Sequence, residues 1–166
     1  MFISGTYNAK SVTTQPLISN AWVRTQNMTV ARMYHTGIYI PETNNVLIAG
    51  GSGVISMELF ISSNRSFRKT VDMTQTKLMH SADRLDTHTI LIAGNTTADF
   101  YDPIADIINR TMSISAPRFY FTSTAIEVNG TTNVFLYGGV STTSGTTYLS
   151  TVDVYNSSTK SFSLTR

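Results

Sequence analysis

The chain contains no cysteine among its 166 residues. That absence excludes disulfide scaffolds, thiolate metal sites and cysteine nucleophiles. Charged residues account for only 13% of the chain, well below the roughly 25% of an average soluble domain. The one basic cluster lies at 65–69 and alternates along a predicted strand. A solvated strand face explains that cluster, so no nucleic-acid partner is predicted.

Long apolar runs are also absent. No segment approaches the roughly 18 apolar residues of a membrane span, so none is predicted. The amino terminus lacks a basic segment followed by an apolar stretch, and no signal peptide is visible.

Metal-binding and catalytic patterns are equally sparse. His35, His80 and His88 would bind zinc only if the fold brought them together. His35 and His80 occupy equivalent positions 45 residues apart, so stacking and hydrogen bonding are their expected roles. No Ser-His-Asp set stands out in a chain so rich in serine. We therefore predict no catalytic residue, metal or cofactor.

What the sequence does contain is a repeat. An apolar segment ending in glycine or asparagine occurs at 46–51, 90–95 and 134–139, in two steps of 44 residues, and a shortened copy lies at 1–6. Four apolar residues before a glycine indicate a buried strand that stops at a special backbone position. A period in the forties is typical of repeat folds such as propellers.

Other positions recur in register with this segment. Each repeat offers four short strand candidates, separated by Ser-, Thr-, Asn- and Gly-rich turns. The chain is therefore predicted to be all-β. The recurring charges are three cations and three acids: Arg32, Lys77, Arg118, Glu58, Asp99 and Asp153. Structural pairing of cation with acid is the favoured interpretation, and the alternative is a ring of charges that binds an anionic or polar ligand.

The pattern as a whole resembles the kelch repeat. A cation precedes a histidine by three residues, as in Arg32 and His35, and an apolar strand then ends in the doublet of Gly50 and Gly51. An acidic-apolar-aromatic strand and a terminal aromatic anchor, such as Trp22, complete the pattern. The resemblance implies a β-propeller of four-stranded antiparallel blades, whose first strands line a central channel.

On this interpretation residues 1–166 form a single propeller segment. A partial blade spans 1–27, and three complete blades span 28–71, 72–112 and 113–166. We expect the chain to be a piece of a longer propeller whose remaining blades would pack against it. A four-bladed ring lacking one strand is the alternative.

The distance between the second and third strands varies most from repeat to repeat, and the longest such loop spans 140–150. Variable loops on one face of a repeat array often carry binding. We therefore predict a non-catalytic module that binds a protein or glycan partner through Thr142, Ser144 and Thr147. Two alternatives remain open: a segment of a galactose-oxidase-like enzyme whose active site lies elsewhere, and the substrate-adaptor propeller of a ubiquitin ligase.

Six Asn-X-Ser/Thr sequons occur in the chain. Asn27, Asn64 and Asn129 are the candidate glycosylation sites, and Asn64 and Asn129 fall in predicted turns. The number of sequons favours an extracellular location. Because a chain rich in Ser and Thr produces sequons by composition alone, a cytoplasmic location is the alternative.

Overall fold

The computed structural model describes residues 24–142 and 147–165. These residues form β-strands and no helix, so no helix within them is long and apolar enough to cross a membrane. The strands are β1 (Thr36–Ile40), β2 (Asn45–Ala49), β3 (Met57–Ile61), β4 (Ser66–Lys69), β5 (Ser81–Asp86), β6 (Thr89–Asp102), β7 (Ile107–Arg118), β8 (Thr122–Val128), β9 (Thr131–Tyr137), β10 (Val152–Asn156) and β11 (Ser161–Thr165).

The strands build three antiparallel sheets, and within each sheet they follow one another in chain order. The first sheet contains β1–β4, the second β5–β7 and the third β8–β11. The prediction of an all-β architecture is thus confirmed. The three repeated apolar segments lie in β2, β6 and β9, each the second strand of its sheet.

The second sheet differs from the prediction because it has three strands and not four. Its predicted second and third strands both lie in β6, which is 14 residues long. Only five residues separate Gly94 from Asp99 in sequence, whereas eight separate Gly50 from Glu58. The shorter spacing leaves no room for a loop like the one between β2 and β3. The direction of β6 changes instead at Asn95, whose φ is 58°.

The sheets pack against one another in chain order. One hydrophobic cluster joins the first and second sheets, and it includes Leu47, Leu59, Ile90, Ile92 and Tyr101. A second cluster joins the second and third sheets, and it includes Leu91, Phe100, Val134, Leu136 and Tyr155. The first strands also lie near one another, since β1 contacts β5 and β5 contacts β8.

Gly50 shows why the apolar segments end in glycine. Its φ is 62°, in the left-handed region, which only glycine adopts without cost. A Cβ there would lie 2.7 Å from Cε of Met73 and 2.9 Å from the carbonyl oxygen of Lys77. Both contacts come from the segment that leads into the second sheet, so this glycine lets two consecutive sheets approach closely.

Candidate functional site

The antiparallel strands give the stack two ends. The loop end carries the loops after β2 and β9 and the segments that lead into β1, β5 and β8. The turn end carries the hairpin turns, such as those between β1 and β2 and between β10 and β11. The predicted binding loop at 140–150 belongs to the loop end.

Each sheet contributes the acid of one buried ion pair near the loop end. The nitrogen–oxygen distances are 2.5 Å for Arg32 with Glu58, 3.4 Å for Lys77 with Asp99 and 3.1 Å for Arg118 with Asp153. All six side chains are fully buried. The predicted structural pairing is therefore confirmed, and these charges do not form a ring open to a ligand.

The two arginines of these pairs also hold loops in place. Nη1 of Arg32 donates to the carbonyl oxygens of Gly50 and Ser56, each at 2.8 Å. Arg118 likewise donates to the carbonyl oxygen of Gly138 at 2.8 Å. Because one guanidinium binds both ends of the β2–β3 loop, Arg32 fixes the shape of that loop.

Burial and hydrogen bonding shift the pKa of Glu58, the acid of the first pair, in opposite directions. Burial alone would raise the pKa of Glu58, but the amide of Thr29 and the guanidinium of Arg32 lower that pKa overall. In the second pair, burial lowers the pKa of Lys77, and the charge of Asp99 opposes that effect.

A row of left-handed residues connects the three sheets at the loop end. Tyr34, Met79 and Tyr120 each lie two residues after a cation of an ion pair, and their φ angles are 59°, 51° and 52°. The amide of Met79 donates to the carbonyl oxygen of Tyr34 at 3.2 Å, and the amide of Tyr120 donates to that of Met79 at 3.0 Å. Bulky residues rarely adopt this conformation, so these hydrogen bonds hold a strained backbone in place.

Large side chains project from this row into solvent. Tyr34 is 50% exposed and Tyr120 is 56% exposed. Tyr148 is 84% exposed, and it lies nearby because Val140 bridges both Tyr148 and Phe119, the neighbour of Tyr120. We call the exposed large side chains of this end the loop-end surface: Met33, Tyr34, Ile55, Tyr120 and Tyr148.

The predicted binding residues border this surface. Thr142 and Thr147 are both exposed, whereas Ser144 lies outside the described residues. The amide of Ser141 donates to the carbonyl oxygen of Thr147 at 3.0 Å, which closes the loop. The tyrosines were not among the binding residues predicted from the sequence, although the position of Tyr34 and Tyr120 after a recurring cation offered a signal.

The three histidines do not converge. His35 and His88 are exposed, and His80 is buried. Burial lowers the pKa of His80 to about 4, with the charge of Lys77 adding to that effect. Nε2 of His80 lies 3.1 Å from Oγ1 of Thr36, in the neighbouring sheet. Within 24–142 and 147–165, no group of three His, Cys, Asp or Glu side chains lies close enough to hold a metal ion.

The candidate glycosylation sites are accessible. Asn27, Asn64 and Asn129 are all exposed. Asn156 is half-buried, and its Nδ2 donates to Oδ1 of Asn133 at 2.9 Å. The structure therefore separates sequons that could carry a glycan from one whose amide nitrogen is already engaged.

Comparison with known proteins assigns no family to the chain. Neither a scan against family models nor a search of curated proteins finds a match. Proposals about its function therefore rest on the geometry of the loop-end surface and on the sequence pattern.

Proposed function

We propose that the chain is a non-catalytic interaction module of kelch type that binds a partner protein through the loop-end surface. The observation that carries this proposal is the row of exposed side chains at Tyr34 and Tyr120, whose backbones are hydrogen-bonded from sheet to sheet. Tyrosine is enriched at protein interfaces because it supplies a large contact area with little loss of conformational entropy. A surface on fixed backbones also needs little reorganisation on binding.

The chemistry of the surface supports a partner that is not strongly charged. The nearest recurring cations, Arg32, Lys77 and Arg118, are buried in ion pairs. The exposed residues there are aromatic side chains and the threonines Thr142 and Thr147. A neutral glycan is the alternative partner, since a tyrosine ring offers an apolar face beside hydrogen-bonding groups.

Alanine substitution at the two ends of the stack tests the proposal. The loop-end variant is Y34A/Y120A/Y148A. A matched turn-end variant is Y39A/I104A/V128A, whose side chains are also about half exposed, at 53%, 51% and 55%. Partners captured on the wild-type chain are identified, and their dissociation constants are then measured with each purified variant.

We expect the loop-end variant to weaken binding by about 2 kcal/mol or more, roughly 30-fold, because interface tyrosines often dominate affinity. The turn-end variant should bind as the wild type does. A glycan array distinguishes the alternative partner. If the turn-end variant loses affinity while the loop-end variant keeps it, the proposed surface is wrong.

A further inference from the structure

We call the contact between the first and second sheets the first interface, and the contact between the second and third sheets the second interface. The carboxylate of Asp106 closes the turn end of the first interface. Asp106 lies in the turn between β6 and β7, and its Oδ1 accepts a hydrogen bond from the hydroxyl of Tyr101 at 3.0 Å. Its Oδ2 lies 2.8 Å from Nη1 of Arg68, on β4 of the first sheet. The amide of Val71 donates to Oδ1 as well, at 3.2 Å. One carboxylate thus joins a cation, a tyrosine and an amide at this interface.

The second interface repeats this arrangement without the carboxylate. Lys160 occupies the position of Asp106, since each lies seven residues after the acid of an ion pair. Their backbones also match, with φ angles of 53° and 58°. Tyr155 corresponds to Tyr101, because each lies two residues after the acid of its own ion pair, Asp153 or Asp99.

The cation of this arrangement is present at both interfaces. Arg68 lies opposite Leu59 in the pairing of β3 with β4. Arg110 lies opposite Phe100, which corresponds to Leu59 in sequence, in the pairing of β6 with β7. The second interface therefore has a guanidinium and a tyrosine hydroxyl, and it has the ammonium of Lys160 where the first interface has the carboxylate of Asp106.

A cavity of about 360 Å³ opens at the second interface, and Arg110, Tyr155 and Lys160 line it. Arg110 lies on its wall, with Cζ 4.2 Å from the centre of the Phe100 ring, and its Nη2 donates to the hydroxyl of Tyr155 at 2.7 Å. Within the described parts of the chain, neither Arg110 nor Lys160 forms an ion pair. The ring contact and the hydrogen bond hold the guanidinium in place, and its other donors remain available.

We propose that this cavity binds the carboxylate group of a small organic acid, in the role that Asp106 plays at the neighbouring interface. Arg110 supplies a planar guanidinium that suits a carboxylate, and Lys160 supplies a second positive charge. Asp86 also lines the cavity, and its Oδ1 accepts a hydrogen bond from the amide of His88 at 2.7 Å. Two cations against one acid leave the lining with a net positive charge.

The size of the cavity agrees with a small ligand. Ligand sites commonly enclose about 300–1,000 Å³, so this one lies at the lower end of that range. The site is at the turn end, away from the loop-end surface, and its occupancy does not depend on the proposed partner. The two proposals therefore fail independently.

A titration with sodium acetate tests the proposal. The amide resonances of residues 157–160 are followed by NMR in the wild-type chain, with sodium chloride at equal ionic strength as the reference. We expect saturable shifts with acetate and none with chloride. In R110Q these shifts should be lost, because the guanidinium is gone.

The variant K160D gives a sharper result. It places an aspartate where Asp106 stands in the other interface, and Lys160 is exposed, so the fold should be retained. We expect K160D to lose the acetate-dependent shifts and to unfold at a higher temperature than the wild type. The control K69Q removes an exposed lysine outside the cavity and should bind acetate normally. Equal shifts with acetate and chloride, or acetate binding by K160D as strong as that of the wild type, would overturn the proposal.

Discussion

The amide nitrogen of Met79 lies 3.2 Å from the carbonyl oxygen of Tyr34, across the boundary between the first and second sheets. Both residues have left-handed backbones, and Tyr120 extends the row to the third sheet. Since the same conformation recurs at the same repeat position, the loop end is one continuous surface. The backbones of Tyr34 and Tyr120 are held in place by these hydrogen bonds.

The left-handed backbone at Tyr120 predicts an unusual order of stability. At ordinary exposed strand positions, a variant with alanine has a free energy of unfolding roughly 0.5–1 kcal/mol higher than a variant with glycine. At Tyr120, whose φ is 52°, we expect Y120G to be more stable than Y120A by about 1 kcal/mol, because alanine is strained there. Urea unfolding of both variants measures the difference. The pair Y39G and Y39A, in strand β1, is the control and should show the ordinary order.

Removal of the charge from a buried pair should destabilise the fold strongly. In D99N, Lys77 remains in a fully buried site without the carboxylate that favours its charged form. We expect a loss of roughly 3–5 kcal/mol in the free energy of unfolding. The control is D72N, which affects the exposed pair of Lys69 with Asp72 and should cost less than about 1 kcal/mol. Similar losses in both variants would contradict a structural role for the buried pair.

His80 should make stability depend on pH. Its pKa in the folded chain is about 4, below the ordinary 6.5, because of burial and then the charge of Lys77. The unfolded chain takes up a proton below pH 6.5 and the folded chain does not, so this contribution is complete above pH 6.5 and declines as the pH falls toward 4. One pKa unit corresponds to about 1.4 kcal/mol, and the total loss should therefore approach about 3 kcal/mol.

Unfolding measured in this window with H80Q and H88Q checks the assignment. H80Q should flatten the pH dependence between 6.5 and 4. H88Q, which replaces an exposed histidine, is the control. A wild-type slope in H80Q would show that another group is responsible.

The sequence predicts the repeated parts of this fold well. The 44-residue step places β2, β6 and β9 correctly, because buried strands need apolar residues and the close approach at Gly50 needs glycine. The pairing of Arg32 with Glu58 follows from the same register. Features that lack a compositional signal were not predicted. Tyrosine and methionine do not favour left-handed backbones, so nothing in the residue types indicates the row that contains Tyr34.

Contacts between sheets are the other limit on prediction. The sequence shows an aspartate at 106 and a lysine at 160. Whether each of them pairs with a charge depends on which side chain of the preceding sheet faces it, namely Arg68 for Asp106 and Arg110 for Lys160. The bulge between Phe100 and Tyr101 shifts the register of β7 by one residue. Counting along the sequence would therefore have placed Asn109, and not Arg110, opposite Phe100.

Expression in a glycosylating host tests the extracellular prediction. We expect glycans at Asn64 and Asn129, which are exposed in turns, and at Asn27, which is also exposed. Asn156 should remain unmodified, because its side chain is half-buried and bonded to Asn133. Mass spectrometry of tryptic peptides measures the occupancy of each site. Unmodified Asn64 and Asn129 would argue against an extracellular location.

Site-specific photo-crosslinking tests the central proposal most directly. A benzophenone side chain is placed at Tyr148, in the loop-end surface, or at Tyr39, toward the turn end, where 53% of the side chain is exposed. We expect the captured partner to crosslink at position 148 and not at position 39. Crosslinking at 39 with none at 148 would contradict binding through the loop-end surface.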